Sequence, residues 1–250
     1  MKNSFSLPAL AWIVLTCICV TVILFGLKTA FKRTGWEKTK QQRIFLTATI
    51  LIVGWSALLL ALSYIGFFED FTTFPPRPVL AILIPLPLVL AIAFSKNGTQ
   101  LLKSIPSQWL VLIQTFRIAV ELLLLMAFIN GRIPLQMTFE GRNFDILTGI
   151  LALPVGYLLA KRKTYAPKLA VAFNIIGLLL LINILVIAVL SMPSPVRYFM
   201  NEPANELVAQ FPFILLPGVL VPVAYTMSIF SLRQLLVSDR EARSLVQAVS

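Results

Sequence analysis

Two residues within the stretch Trp109 to Ile129, WLVLIQTFRIAVELLLLMAFI, could do chemistry where the surroundings favour it least. Arg117 and Glu121 stand near the centre of an otherwise apolar segment of membrane-spanning length. They are four residues apart, so a helix places both on one face, and Gln114, three residues before Arg117, joins the same stripe. A guanidinium there can anchor an anion or a carboxylate, and a carboxyl can balance it or carry a proton. An ionised side chain at mid-membrane costs about 2.5 to 3.5 kcal/mol, so the two cost about 5 to 7 kcal/mol. The Leu, Ile, Phe and Val residues around them return only about 4 to 8 kcal/mol. The stripe must therefore face other helices, and Asn174 and Tyr225 are the nearest partners by residue type.

Other chemistries lack their residues. The chain has no histidine, which removes imidazole ligation of haem or zinc, histidine general bases and the Ser/His and Cys/His nucleophile pairs. It has no Gly-rich phosphate loop and no cluster of acids that could hold magnesium. The last apolar segment has no lysine to form a Schiff base with retinal. Cys17 and Cys19, two apart in the first apolar segment, point in separate directions around a helix and read as packed thiols. No cofactor and no metal follow from these residues, and the balance lies against an enzyme.

The elements that must position the stripe are membrane helices. A hydrophobic content of 58%, with 12% charged residues and a mean hydropathy of +0.90, lies outside the range of soluble domains. Apolar runs predict an all-α bundle, a single domain of seven spans at about residues 9–27, 44–68, 79–94, 109–129, 144–160, 169–190 and 211–232. The third is short and contains Pro85 and Pro87, which predicts a kink, and the seventh, with Pro212, Pro217, Gly218 and Pro222, should be the most irregular. Residues 233–250 read as a short cytoplasmic tail helix opened by a capping box at Ser238 and Glu241. Pro203 to Gln210 reads as a short interfacial helix.

The net charge of +11 is an orientation signal rather than a nucleic-acid footprint. The loops after the first, third, fifth and seventh segments hold 15 basic and 3 acidic residues, against 5 and 6 in the others. By the positive-inside rule the N-terminus lies outside and the C-terminus in the cytoplasm, with anionic lipid headgroups beside the basic loops. The outer loops bring both signs together: Arg142 and Arg197, with Glu140, Asp145, Glu202 and Glu206 opposite. They form one expected external cluster, suited to helix capping, rim salt bridges or a membrane or envelope protein partner. Asn143 and Asp145 are candidate caps for the fifth helix.

At QTFRIAVELLL, QMTFEGRNFDILTG and NEPANELVAQFPF, across Ile105 to Leu235, the chain resembles a group of uncharacterised bacterial seven-span inner-membrane proteins. The resemblance implies a multi-pass fold and brings no function. Three readings remain open. In the first, favoured one, the chain is a non-enzymatic sensor or assembly component whose Arg117 and Glu121 form a satisfied internal pair. In the second it is a transporter or solute-binding protein that uses them as a site. The third is a histidine-free membrane enzyme working through Glu121, Asp145 or tyrosines.

Overall fold

The computed structural model describes residues 7–249. Ten helices follow in order: α1 (Leu7–Phe31), α2 (Lys38–Tyr64), α3 (Arg77–Leu83), α4 (Pro85–Phe94), α5 (Lys96–Ser104), α6 (Ser107–Leu112), α7 (Phe116–Ile129), α8 (Ile146–Ala160), α9 (Ala166–Leu190) and α10 (Val221–Val249). There is no strand among the described residues. Six helical stretches are long and apolar enough to cross a membrane: Pro8–Phe31, Lys38–Tyr64, Arg77–Phe94, Ser107–Ile129, Ala166–Leu190 and Leu216–Ser238. Their outward faces carry exposed apolar side chains, such as Leu10, Val14, Ile18 and Phe25 on α1 and Ile175, Leu179, Ile182 and Val186 on α9. Such faces suit a hydrocarbon solvent, in which a buried core needs only one side of each helix.

The fifth expected segment differs. Its helix, α8, has 15 residues, about 22 Å at 1.5 Å per residue, against a hydrocarbon core of about 30 Å. It packs closely and antiparallel against the α6–α7 stretch, where a Cβ at Gly149 would meet Ile118 and one at Gly156 would meet Leu112. Asp145, just ahead of α8, meets Arg117, near the middle of the α6–α7 stretch, and Arg117 in turn donates to the Gly177 carbonyl near the middle of α9. The helix therefore starts level with the middles of its neighbours. The segment before it, residues 131–145, descends from the end of α7 into the bundle.

Breaks in the spans have local causes. The Arg77–Phe94 stretch is interrupted at Ile84, between α3 and α4, because Pro85 and Pro87 bring no N–H donors. The Tyr225 hydroxyl donates to the Ile82 carbonyl beside this break at 3.2 Å. Between α6 and α7 the chain tightens into a 3₁₀ turn, Ile113–Thr115. Ahead of α10 it widens into a π-helical turn, Leu216–Leu220, where Trp55 Nε1 donates to the Gly218 carbonyl at 2.8 Å and Leu59 packs against the bare Cα.

Two smaller expectations are corrected. The interfacial helix near Pro203 to Gln210 is only a 3₁₀ turn, Leu207–Ala209, and it is buried. The tail is no separate helix: α10 runs on through Ser238, whose hydroxyl donates back to the Gln234 carbonyl at 3.0 Å instead of opening a new turn. A chain already helical has no free N–H groups for a cap to satisfy. The Glu241 half of that capping box lies outside the described side chains.

Candidate functional site

Arg117 is the best-buried cation of the described chain, 1% exposed, on the first turn of α7. Its Nη1 lies 2.8 Å from Asp145 Oδ1 and donates at 3.2 Å to the Gly177 carbonyl of α9. The helices come this close because Gly177 has no side chain: a Cβ there would lie 2.9 Å from Thr148 Cγ2 and 3.6 Å from Arg117 Nη1. Thr148, one turn into α8, adds a hydroxyl 3.3 Å from the same Asp145 oxygen.

Glu121, also 1% exposed, stands one turn farther along α7. Its partner is Asn143, whose Nδ2 donates to Oε1 and Oε2 at 2.7 Å each and to the Met137 carbonyl at 3.1 Å. The ion pair of this core is thus Arg117–Asp145, and Glu121 is held by an amide instead of by Arg117. Asn143 Oδ1 also accepts from the Asp145 N–H at 3.0 Å, fixing the turn that leads into α8. Asp145 occupies the cap position without a side-chain bond to the backbone N–H groups of the helix. The cluster holds one guanidinium and two carboxyl groups, so its charge balances when one carboxyl carries a proton.

One turn toward the basic loops lies a neutral layer. Gln114 Nε2 donates to Asn174 Oδ1 at 3.1 Å, Asn174 Nδ2 to Ser231 Oγ at 2.8 Å, and Ser228 Oγ to Gln114 Oε1 at 3.2 Å. Three spans, the α6–α7 stretch, α9 and α10, are tied there by amides and hydroxyls, which interact in hydrocarbon without the desolvation cost of ions. Tyr225 belongs to neither layer; its hydroxyl serves the break in the third span. Asn183, on the far side of α9, donates at 2.9 Å to the Arg142 carbonyl.

The descending segment is fixed at every level. The end of α7 is closed by Gly131 at φ +63°, with Arg132 N–H reaching back to the Ala127 carbonyl at 2.9 Å, the bond pattern of a left-handed glycine stop. Arg132 Nη2 donates to Gln210 Oε1 at 2.8 Å, and Gln136 Nε2 to Ser191 Oγ at 3.1 Å. Asn143 and Asp145 follow below. Irregular backbone at this depth is tolerated because its polar groups are satisfied inside the protein.

The expected external cluster divides. Asp145 leaves it for the core, being 5% exposed. Arg197 Nη2 pairs with Glu202 Oε1 at 2.9 Å and also donates to the Asn201 carbonyl at 2.9 Å. The Arg142 guanidinium lies over the Phe199 ring at 5.3 Å. Glu140 and Glu206 are exposed and stand outside the Arg197–Glu202 pair. Sequence reasoning missed Asn143 as the partner of Glu121, and it missed Ser228 and Ser231; their three-residue spacing on a strongly buried span was the available signal.

A family model described as a domain of unknown function (DUF8737) matches residues 75–236, and the chain belongs to that family. The matched range holds every residue of the charged cluster and of the neutral layer, from Gln114 to Ser231. No curated protein and no solved structure matches the chain.

Proposed function

We propose that this family member is a non-enzymatic component of a bacterial inner membrane, a sensor or an assembly partner, whose charged core holds its fold together. The supporting observation is closure. Arg117, Glu121, Asn143 and Gln114 are all at most 1% exposed, so no solute meets them in this conformation. The bonds of Asp145 and Asn143 work as internal staples that keep the segment 131–145 inside the bundle. In this reading α8 is the seventh crossing, completed at its outer half by that segment, with the N-terminus outside and the basic loops in the cytoplasm.

A second reading has its own support. Arg117 Nε and Nη2 are buried and lack hydrogen-bond partners among the described residues. They lie beside spans broken at mid-depth, as substrate sites of secondary transporters do. Proteoliposomes separate the two. Under an imposed pH gradient, vesicles holding the wild-type protein should relax no faster than empty ones, and Glu121→Gln should leave that rate unchanged. A proton flux that Glu121→Gln abolishes would reject the structural role in favour of transport.

A further inference from the structure

The basic end of the bundle carries a short amphipathic helix, α5, held from three sides. Ser95 Oγ accepts from Gly98 N–H at 2.9 Å at its start. Gln100 Nε2 donates to the Thr34 carbonyl at 3.1 Å, and Asn97 Oδ1 accepts from Lys40 Nζ at 3.0 Å. At its end, Gln234 of α10 donates to the carbonyls of Leu102 and Ile105. The helix thus lies fixed across the end of the bundle instead of floating on it.

A shallow, open hollow lies on each flank of α5. One, of about 390 Å³, lies toward the α1–α2 loop and is lined by Arg33, Thr34, Gln100, Ser104 and their neighbours. The other, of about 360 Å³, lies toward α4 and α10 and is lined by Phe94, Lys96, Thr99, Gln100, Lys103 and Arg233. Gln100 and Lys103 border both. Among the described residues, neither lining contains a carboxylate. Arg233 places its guanidinium over the Phe94 ring at 5.2 Å, while its buried Nε lacks a hydrogen-bond partner among the described residues. Phe94 itself is 66% exposed at the end of an apolar helix. A ligand seated there thus has cations around its head and hydrocarbon beside its body.

We propose that each of these paired hollows binds the phosphate of an anionic phospholipid headgroup, with Arg33 as the recognising cation on one flank of α5 and Lys96 and Arg233 on the other, where α4 lies beside the acyl chains. Basic pockets between helices at a membrane surface recognise such headgroups by charge and by donors aimed at phosphate oxygens. The proposal rests on the reading that the basic end meets the membrane surface, but its test is independent of which side that end faces.

The test uses the full chain in neutral detergent, with binding read by native mass spectrometry and by thermal unfolding. Phosphatidylglycerol should bind about tenfold or more tightly than phosphatidylcholine of the same acyl chains. Lys96→Gln with Arg233→Gln should weaken it, by about fivefold for each charge removed. Arg33→Gln with Lys96→Gln changes two exposed side chains and should do the same, which keeps the test valid if Arg233→Gln harms folding. Neutralising Lys161 and Lys163, at the same end but outside both linings, should leave binding unchanged. Equal loss in that control, or no preference for phosphatidylglycerol, would overturn the site. Inorganic phosphate that protects as well as the lipid, and does so through the same cations, would overturn the lipid as ligand. None of these outcomes depends on topology, which is read separately by labelling.

Discussion

Removing Asp145 should cost more than removing Glu121, although Glu121 shares a helical face with Arg117 and Asp145 is 28 residues away. In Asp145→Ala the guanidinium of Arg117 keeps only the Gly177 carbonyl among its present acceptors, at 1% exposure. An ion left buried without its partner costs about 3 to 5 kcal/mol. In Glu121→Gln the acceptor oxygen facing Asn143 survives, and Asn143 retains the Met137 carbonyl, so the loss should stay near about 1 kcal/mol. Replacing both ions by apolar residues, Arg117→Met with Asp145→Leu, removes the desolvation penalty and should return the fold to within about 1 kcal/mol of wild type or above it. A double-mutant cycle states this as coupling: about 2 kcal/mol or more between 117 and 145, and less than about 1 kcal/mol between 117 and 121. The assay is reversible unfolding in mixed micelles, with monodispersity as the check on folding. Stronger coupling of Arg117 to Glu121 than to Asp145 would refute the assignment of the ion pair. Wild-type stability in Asp145→Ala would refute the staple.

Three further outcomes follow from the geometry. Gly177→Ala sets a methyl 2.9 Å from Thr148 Cγ2 and should destabilise by about 1 to 3 kcal/mol, with Thr148→Ser, which deletes that methyl, recovering part of the loss in the melting temperature. The hydrogen bond from Arg197 holds the Glu202 carboxyl below its ordinary value of 4.5. A depressed carboxylate contributes fully above that value and loses its contribution only as pH falls through the lowered one, so in Arg197→Gln the Glu202 midpoint, read by carbon NMR, should move upward. In a variant lacking Cys17 and Cys19, single cysteines at Thr39 and Thr164 should resist an impermeant thiol reagent in intact cells while those at Thr72 and Ser194 react; the opposite pattern would invert the proposed orientation.

The apolar runs made six of the spans legible, since each buries one side and turns Leu, Ile and Val outward. The four-residue spacing of Arg117 and Glu121 also correctly placed both on an inward face. Their partners were not legible. Asp145 stands in a stretch with Glu140 and Arg142, and a charged residue between two apolar runs reads as solvated. Nothing local reveals that residues 131–145 sink into the bundle, because the bonds that hold them come from Gln210, Ser191, Asn183 and Glu121, between 22 and 78 residues away. The Ser238 signal failed for the opposite reason: a valid local motif was overridden by a helix that had no need to stop.

The short helix α8 also shapes the lipid around the protein. Beside α9, 25 residues long, the bilayer meets about 37 Å of continuous helix, and beside α8 only about 22 Å. Above α8 the wall is made by loop, with Leu135 and Phe144 exposed to continue the apolar surface. The hydrophobic belt is therefore uneven in height around the circumference. Lipid on the α8 flank is in contact with a wall that sets no fixed thickness, whereas lipid on the α9 flank must match a rigid one, and the elastic cost of mismatch amounts to fractions of a kcal/mol per Å. In a thin membrane that cost gathers along α9, and the α8 flank is where the bilayer can adjust.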